Sequence, residues 1–275
     1  DGGTIGLGGT SGNMTITGTE LGNITAGTLN IGNSSTGNIT VDGISAANSN
    51  NATTVNLTTA SASSVSFSNN DSTFNALTAS SGKGINQSVN VTTSSTATLD
   101  ADSDDDGSGD YSNTAGTFST GGSALSITAN DFGLSGAINT GTGTTTILIS
   151  DGGSIGLGST VGNMTITGTE LGNITAGTLT IGDSTAGAMT VNGISSANST
   201  NITTVDLNSS SIAFSTGDST FNGLTATANT GTITGAVALT VAGTSTFTTS
   251  ASNQSITLSS TSNDFTGAVS FNTTG

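Results

Sequence analysis

The chain has 275 residues, among them 41 Gly and no Pro, Cys, Trp or His, and it sets 17 Asp and Glu against one cation, Lys83, for a net charge of −16. Without Cys or His there is no disulfide framework and no zinc, haem or iron–sulfur site, and so acidic a chain is not built for nucleic acid or an anionic membrane. No apolar run approaches the roughly 20 residues of a spanning helix, and regularly spaced β-branched residues set the chain apart from disordered polymers of similar composition.

In chain order, apolar residues come as pairs one residue apart: Ile5/Leu7, Met14/Ile16, Leu29/Ile31, Ile39/Val41, Val55/Leu57, Val65/Phe67, Leu125/Ile127, Phe132/Leu134, Ile147/Ile149 and Ile155/Leu157. Period two predicts strands with one buried face. The Gly, Asn, Asp and Ser between pairs predict tight turns. No stretch carries a helical stripe: the best candidate, 19–28, is interrupted by Gly22 and Gly27 and rich in Thr.

Residues 12–28, GNMTITGTELGNITAGT, return letter for letter at 162–178, inside a longer match of 1–48 to 151–198. The apolar letters hold and the small polar ones drift, as in Asp42 against Asn192, which is the expected variation of two copies of one core. Ile39 becomes Met189, still apolar, and Ser11 becomes Val161, read as a surface position. After Leu57 and Leu207 the second copy drops three residues before DSTFN resumes at Asp71 and Asp218, which marks a loop on a stacked scaffold. The predicted fold is all-β, a parallel β-solenoid of short stacked strands, with coils of roughly 20 to 30 residues. Its domains are a first repeat unit, 1–150, and a second, incomplete unit, 151–275, continuous with it. The chain opens inside one repeat and closes inside the next, so it is expected to be a piece of something longer. Phe67, Phe74, Phe214 and Phe221 mark the expected widest point of the core.

The sharpest chemical signal is 100–113, DADSDDDGSGDYSN. Asp102, Asp104 and Asp106 stand at positions 1, 3 and 5 of a D-x-D-x-D-G loop, Gly107 supplies the turn, Ser108 its carbonyl at position 7, and Asp110 falls at position 9. That spacing wraps oxygen ligands around Ca²⁺. At position 12 Asn113 replaces the bidentate Glu, so the expected affinity is low, in the range of extracellular modules. Asn-x-Ser/Thr sequons at Asn13, Asn23, Asn38, Asn51, Asn56, Asn90, Asn163, Asn173 and Asn201 fit turn positions as well as glycan acceptors. Thr15-x-Thr17, Thr165-x-Thr167 and Thr178-x-Thr180 suggest the Thr arrays that order water on ice, but as read in sequence they do not recur coil after coil, and strand propensity accounts for them. With no His or Arg for acid–base work, the chain is expected not to be an enzyme.

The runs MTITGTELGNITAGTLNIG and VNVTTSSTATLDADSDDDGSGDY resemble the β-helical repeat region of filamentous-haemagglutinin-type exoproteins, the giant secreted bacterial proteins of two-partner secretion, and related β-strand-repeat surface proteins. The resemblance implies a right-handed parallel β-helix, secretion from a bacterium, and service as an adhesin, stalk or matrix fibre at the cell surface or in the extracellular matrix. The expected function is an extracellular structural segment of a self-assembling filament, its partner itself, end to end. The alternative is a calcium-dependent adhesin binding carbohydrate or a cell surface. Neither nucleic acid nor membrane insertion is expected.

Overall fold

The computed structural model describes residues 2–275 and divides into two compact units, one ending at Gly143 and one running from Thr144 to Gly275. The alternating apolar pairs form strands, and every strand pairing described is parallel, so both units are β-solenoids. In the first unit a long sheet stacks Ala26–Gly32, Ala52–Thr58, Ala76–Ser80, Ala97–Asp100 and Leu125–Ala129. A second sheet stacks Met14–Ile16, Ile5–Gly8, Ile39–Asp42, Val65–Phe67, Ile85–Gln87, Tyr111–Asn113 and Phe132–Leu134, and a third stacks Ser72–Phe74, Val91–Thr93, Thr117–Ser119 and Ala137–Asn139. Successive register partners Leu29, Val55, Leu77, Ala97 and Leu125 set coils of 26, 22, 20 and 28 residues.

The second unit repeats the plan. Its long sheet stacks Thr144–Ile149, Ile174–Ile181, Ile202–Ser209, Leu224–Ala228, Ser245–Ser252 and Val269–Thr274, beside a sheet led by Met164–Ile166 and Ile155–Gly158 and a third begun by Ser219–Phe221. Here Thr145, Leu179, Val205, Leu224, Ser245 and Val269 follow at steps of 34, 26, 19, 21 and 24 residues. The 34-residue step lies beyond the expected coil length because it holds two parallel strands of one sheet, Ile155–Gly158 and Met164–Ile166, together with a helical turn.

Inward positions superpose coil on coil. Ile147, Ile181, Leu207, Ala226 and Phe247 form one column of the second unit, all buried. The small Ala226 beneath Phe247 shows how a narrow core stays filled when a large ring enters it. Phe67 lies between Val41 and Gln87, Phe74 beside Thr93, Phe214 between Val191 and Gly235, and Phe221 beside Val241. Their partners in register are therefore not aromatic. Among the described residues the stacked rings are Tyr111 on Phe132 and Phe247 on Phe271.

The structure corrects the sequence reading on helices. Gly18–Gly22, Ala46–Ser49, Gly168–Gly172 and Ser196–Ser199 are single helical turns, and they occupy the corner that third-sheet strands fill in later coils. Ser49 Oγ donates to the Thr73 carbonyl (2.7 Å) and Ser199 Oγ to that of Thr220 (2.8 Å), so the second turn of each pair docks on the first third-sheet strand. Four or five residues are too few for a stripe, but the capping signal is present in Thr17-x-x-Glu20 and Thr167-x-x-Glu170. The Thr17 backbone N–H donates to Glu20 Oε2 (2.9 Å) while Glu20 N–H donates back to Thr17 Oγ1 (3.2 Å). The Thr17 backbone N–H, and after it the Thr17 hydroxyl, which also donates to Glu20 Oε2 (2.9 Å), hold the Glu20 carboxyl below its ordinary range. Thr167→Ala is expected to cost about 1 kcal/mol, read as a lower urea midpoint at unchanged slope.

The variation between copies also finds physical reasons. The three-residue deletion falls in a corner: Leu57 to Val65 spans eight steps and Leu207 to Ile212 five, while Val65↔Ile39 and Ile212↔Met189 keep their pairing. Ile39 and Met189 are both buried, and Val161 is 87 % exposed. Asp42 differs from the expectation of a drifting solvent position, since it is buried and accepts from Asn69 Nδ2 (3.2 Å) and Asn70 Nδ2 (2.8 Å). Asn192 serves the same corner by accepting from Gly217 N–H and donating to the Ser159 carbonyl. Met14 is exposed while its counterpart Met164 is buried, so identical letters meet different surroundings.

Candidate metal centre

The acidic run leaves the long sheet at the end of strand Ala97–Asp100, turns a corner, and re-enters the second sheet at Tyr111–Asn113. Both flanks are fixed by pairing: Thr98, Leu99 and Asp100 register with Thr78, Ala79 and Ser80, and Tyr111 registers with Ile85 and Phe132. Between them the loop is anchored by Ser103 N–H on the Ser81 carbonyl (3.1 Å) and folded by Asp105 N–H on the Asp102 carbonyl (3.1 Å). Asp105 (φ 50°) and Gly107 (φ 76°) take left-handed conformations to close the turn.

This corner brings together three of the five residues expected from spacing. Asp102, Asp104 and Asp106 each offer a carboxylate oxygen, and these oxygens lie within 4.8 Å of one another. Two ligands held at roughly 2.4 Å from one Ca²⁺ are at most about 5 Å apart, so the separation suits a common ion. The donor set is all hard oxygen, as Ca²⁺ requires. Asp102 is fully buried and its Oδ2 accepts from Gly107 N–H (3.2 Å), whereas Asp104 and Asp106 are exposed. Ser108 turns its hydroxyl onto Asp106 Oδ1.

Asp110 serves a different purpose. Its Oδ1 accepts from Asn130 Nδ2 and Asp131 N–H, both at 3.1 Å, and so ties one coil to the next. Asn113, at position 12, is a buried residue of the following strand with Nδ2 directed to the Ala137 carbonyl. Linear spacing missed Asp100, the last residue of its strand just before the loop. Burial pushes its carboxyl above the ordinary range, and the charges of Asp105, Asp102 and Asp104 push the same way. A cation nearby would relieve that repulsion.

Several sequon asparagines hold turns or bridge coils here, Asn56 from within a strand. Asn51 and Asn201 donate to the carbonyls of Gly22 and Gly172, Asn90 Nδ2 donates to Asp71 Oδ2, and Asn56 Nδ2 donates to Asn30 Oδ1 on the coil below.

The late coils of the second unit give the point of comparison with known proteins. Residues 203–272 match a family described as repeats of unknown function (DUF5649). The matched segment begins in strand Ile202–Ser209 and ends in Val269–Thr274, so the chain is similar to that family over a run of whole coils. No curated protein and no solved structure matches the chain. Among the described residues, no helix is long and apolar enough to cross a membrane.

Proposed function

We propose that the protein is an extracellular structural protein, a β-solenoid segment of a self-assembling fibre, stalk or matrix filament of filamentous-haemagglutinin type. The observation that carries this reading is the superposition of core and backbone positions from coil to coil, seen in columns such as Ile147, Ile181, Leu207, Ala226 and Phe247. In such a stack each coil is stabilised by its neighbours, so length is added without redesign of the core. A terminal solenoid coil carries unpaired strand groups that a second copy satisfies, which supports axial homo-assembly. Secretion accords with a chain that has no Cys to protect and almost no salt bridges to lose in a saline exterior. A catalytic role is not part of the reading. Electron microscopy of the native material tests it: unbranched filaments with a layer line at about 4.7–4.9 Å along the axis are expected, and discrete particles at all concentrations overturn axial assembly.

The convergence of Asp102, Asp104 and Asp106 favours a second reading, a calcium-dependent adhesin for carbohydrate or a cell surface. Calcium at 10 mM against an affinity of 10⁻⁴ to 10⁻³ M is expected to stabilise the folded chain by roughly 1.4–2.7 kcal/mol, and Asp104→Asn with Asp106→Asn to remove the effect. Thermal unfolding that ignores both calcium and chelator overturns the metal site. Binding to immobilised glycans that survives chelation separates a surface-binding role from the ion.

A further inference from the structure

We propose that the outer face of the long sheet in the unit Thr144–Gly275 is a side-to-side pairing surface that takes the same face of a second copy of this chain. The face is made by register. Thr144, Thr178 and Thr204 form one outward column, Thr146, Thr180, Asp206, Thr225, Thr246 and Ser270 a second, and Asn208, Thr227, Thr248 and Asn272 a third. Thr-x-Thr pairs stand on four of the six strands, Thr144/Thr146, Thr178/Thr180, Thr225/Thr227 and Thr246/Thr248, and are interrupted at Asp206 and Asn208, so the ladder recurs in part and, as read in sequence, not in every coil. The unequal coils of 34, 26, 19, 21 and 24 residues hide the recurrence from any fixed spacing.

Charge selects the face. A second copy brings the same −16, so two copies meet at lowest cost where carboxylates are fewest. The three columns hold one, Asp206, and neither flanking strand, Ile174–Ile181 nor Leu224–Ala228, carries a titratable group. Burial pushes the Asp206 carboxyl above its ordinary range, against the opposing pull of its hydrogen bond with Thr180, which makes it the easier to neutralise. The matching face of the first unit carries Asp100 at the end of strand Ala97–Asp100, beside the acidic corner, where a like-charged copy is repelled. The outward columns carry no aromatic platform for a sugar and no cation for an anionic ligand.

Area sets the strength. Six strands at 4.7–4.9 Å spacing and five to eight residues long present roughly 500 Å² per copy, so a pair buries on the order of 1,000 Å², at the lower edge of specific interfaces. Ladders of Thr and Asn in parallel register mate sheet to sheet about 10 Å apart, as in cross-β packing. Asn272 Nδ2 on Thr248 Oγ1 (3.3 Å) and Asn229 Nδ2 on Asn208 Oδ1 pre-order three of these side chains, Asn272, Thr248 and Asn208. Because each copy uses the same patch, the contact is isologous and closes at two. It goes beyond the axial assembly proposed above and stands or falls apart from it.

Sedimentation of the full chain up to 1 mM at pH 7, with small-angle scattering to separate side-by-side from end-to-end pairing, tests the face. A weak side-by-side dimer is expected. Asp206→Asn should tighten it about tenfold, and Asp264→Asn, an equal change of charge on another sheet, should leave it unchanged. Thr225→Asp with Thr246→Asp should weaken it at least a hundredfold while circular dichroism stays native. A chain and an Asp206→Asn variant that both remain monomeric, or a side-by-side dimer indifferent to Thr225→Asp and Thr246→Asp, overturns the proposal. Thermal hysteresis by a monomer also overturns it and gives the face to ordered water.

Discussion

Gly182→Ala is expected to destabilise the second unit by roughly 3 kcal/mol or more, read as a lower urea midpoint by circular dichroism. Gly182 follows strand Ile174–Ile181 at φ 75°, where an L side chain costs about 1–2 kcal/mol from its own backbone. The larger part is contact. A Cβ there would run into the Asn208 carbonyl of the next coil, and it would also press on Ile155 Cδ1 at 3.0 Å and Ala186 Cβ at 3.3 Å. A carbonyl in a parallel ladder cannot step aside without breaking the coil above. Gly32, at the end of the matching long-sheet strand, repeats the conformation against the Thr58 carbonyl, and Gly8 and Gly158, at the ends of second-sheet strands, do so against the carbonyls of Asp42 and Asn192, so the four glycines mark two corners, each present in both copies of the repeat. Gly27, within strand Ala26–Gly32 and with nothing inside 4 Å of an added Cβ, is the control. Gly27→Ala should be neutral or stabilising by about 0.4–1 kcal/mol.

Tyr111→Ala should cost roughly 3–5 kcal/mol, the range for losing a large buried ring, and Tyr111→Phe about 1–3 kcal/mol. Tyr111 is fully buried, stacks on Phe132 at 5.6 Å between ring centres, and donates its hydroxyl to Gln87 Oε1 at 2.9 Å. Gln87 in turn donates Nε2 to the Val89 carbonyl at 2.9 Å, so this amide is held at both ends inside an apolar column. Removing the hydroxyl leaves a buried acceptor with nothing to accept. Burial also pushes the phenol well above its ordinary value of 10.0. The folded state then keeps its proton where the unfolded state releases it, so stability is unaffected below about pH 10 and falls as pH rises past the unfolded value. Tyrosinate absorbance should grow in only with unfolding, whereas a Tyr111→Phe chain should lose this alkaline dependence.

Much of the fold is legible because each coil is built from very short signals. Ile5/Leu7, Val55/Leu57 and Ile147/Ile149 sit inward on strands, as an alternating pair must when one face is buried. The helical turns escaped the same logic, since Gly18–Gly22 is shorter than any stripe; Thr17 and Glu20 were the readable sign. The acidic corner shows where linear spacing stops. Asp102, Asp104 and Asp106 converge because they share one turn, but Tyr111 pairs with Ile85 and Phe132, and that pairing carries Asp110 onto the next coil's Asn130 and Asp131. A motif learned on helices presumes a loop that wraps; a strand re-entering a sheet at Tyr111 ends the wrap three residues early. Asp42 was misread for a related reason. Its polarity suggests solvent, whereas its burial follows from two asparagines a coil away in sequence and adjacent in space.

The corner between Leu57 and Val65 is three residues longer than that between Leu207 and Ile212, yet the strands on both sides keep their partners. Connection and ladder are thus separable variables. Lengthening such a connection adds only about 0.6 kcal/mol of closure entropy per doubling, while a one-residue slip within a strand would turn its inward set outward. Heritable change is therefore channelled: insertions accumulate at corners and are purged from strands. A lineage of such chains would diversify as a fixed spine with interchangeable loops, and the Asp-rich corner after Asp100, present in one copy of the repeat and missing from the other, has the character of one such cassette.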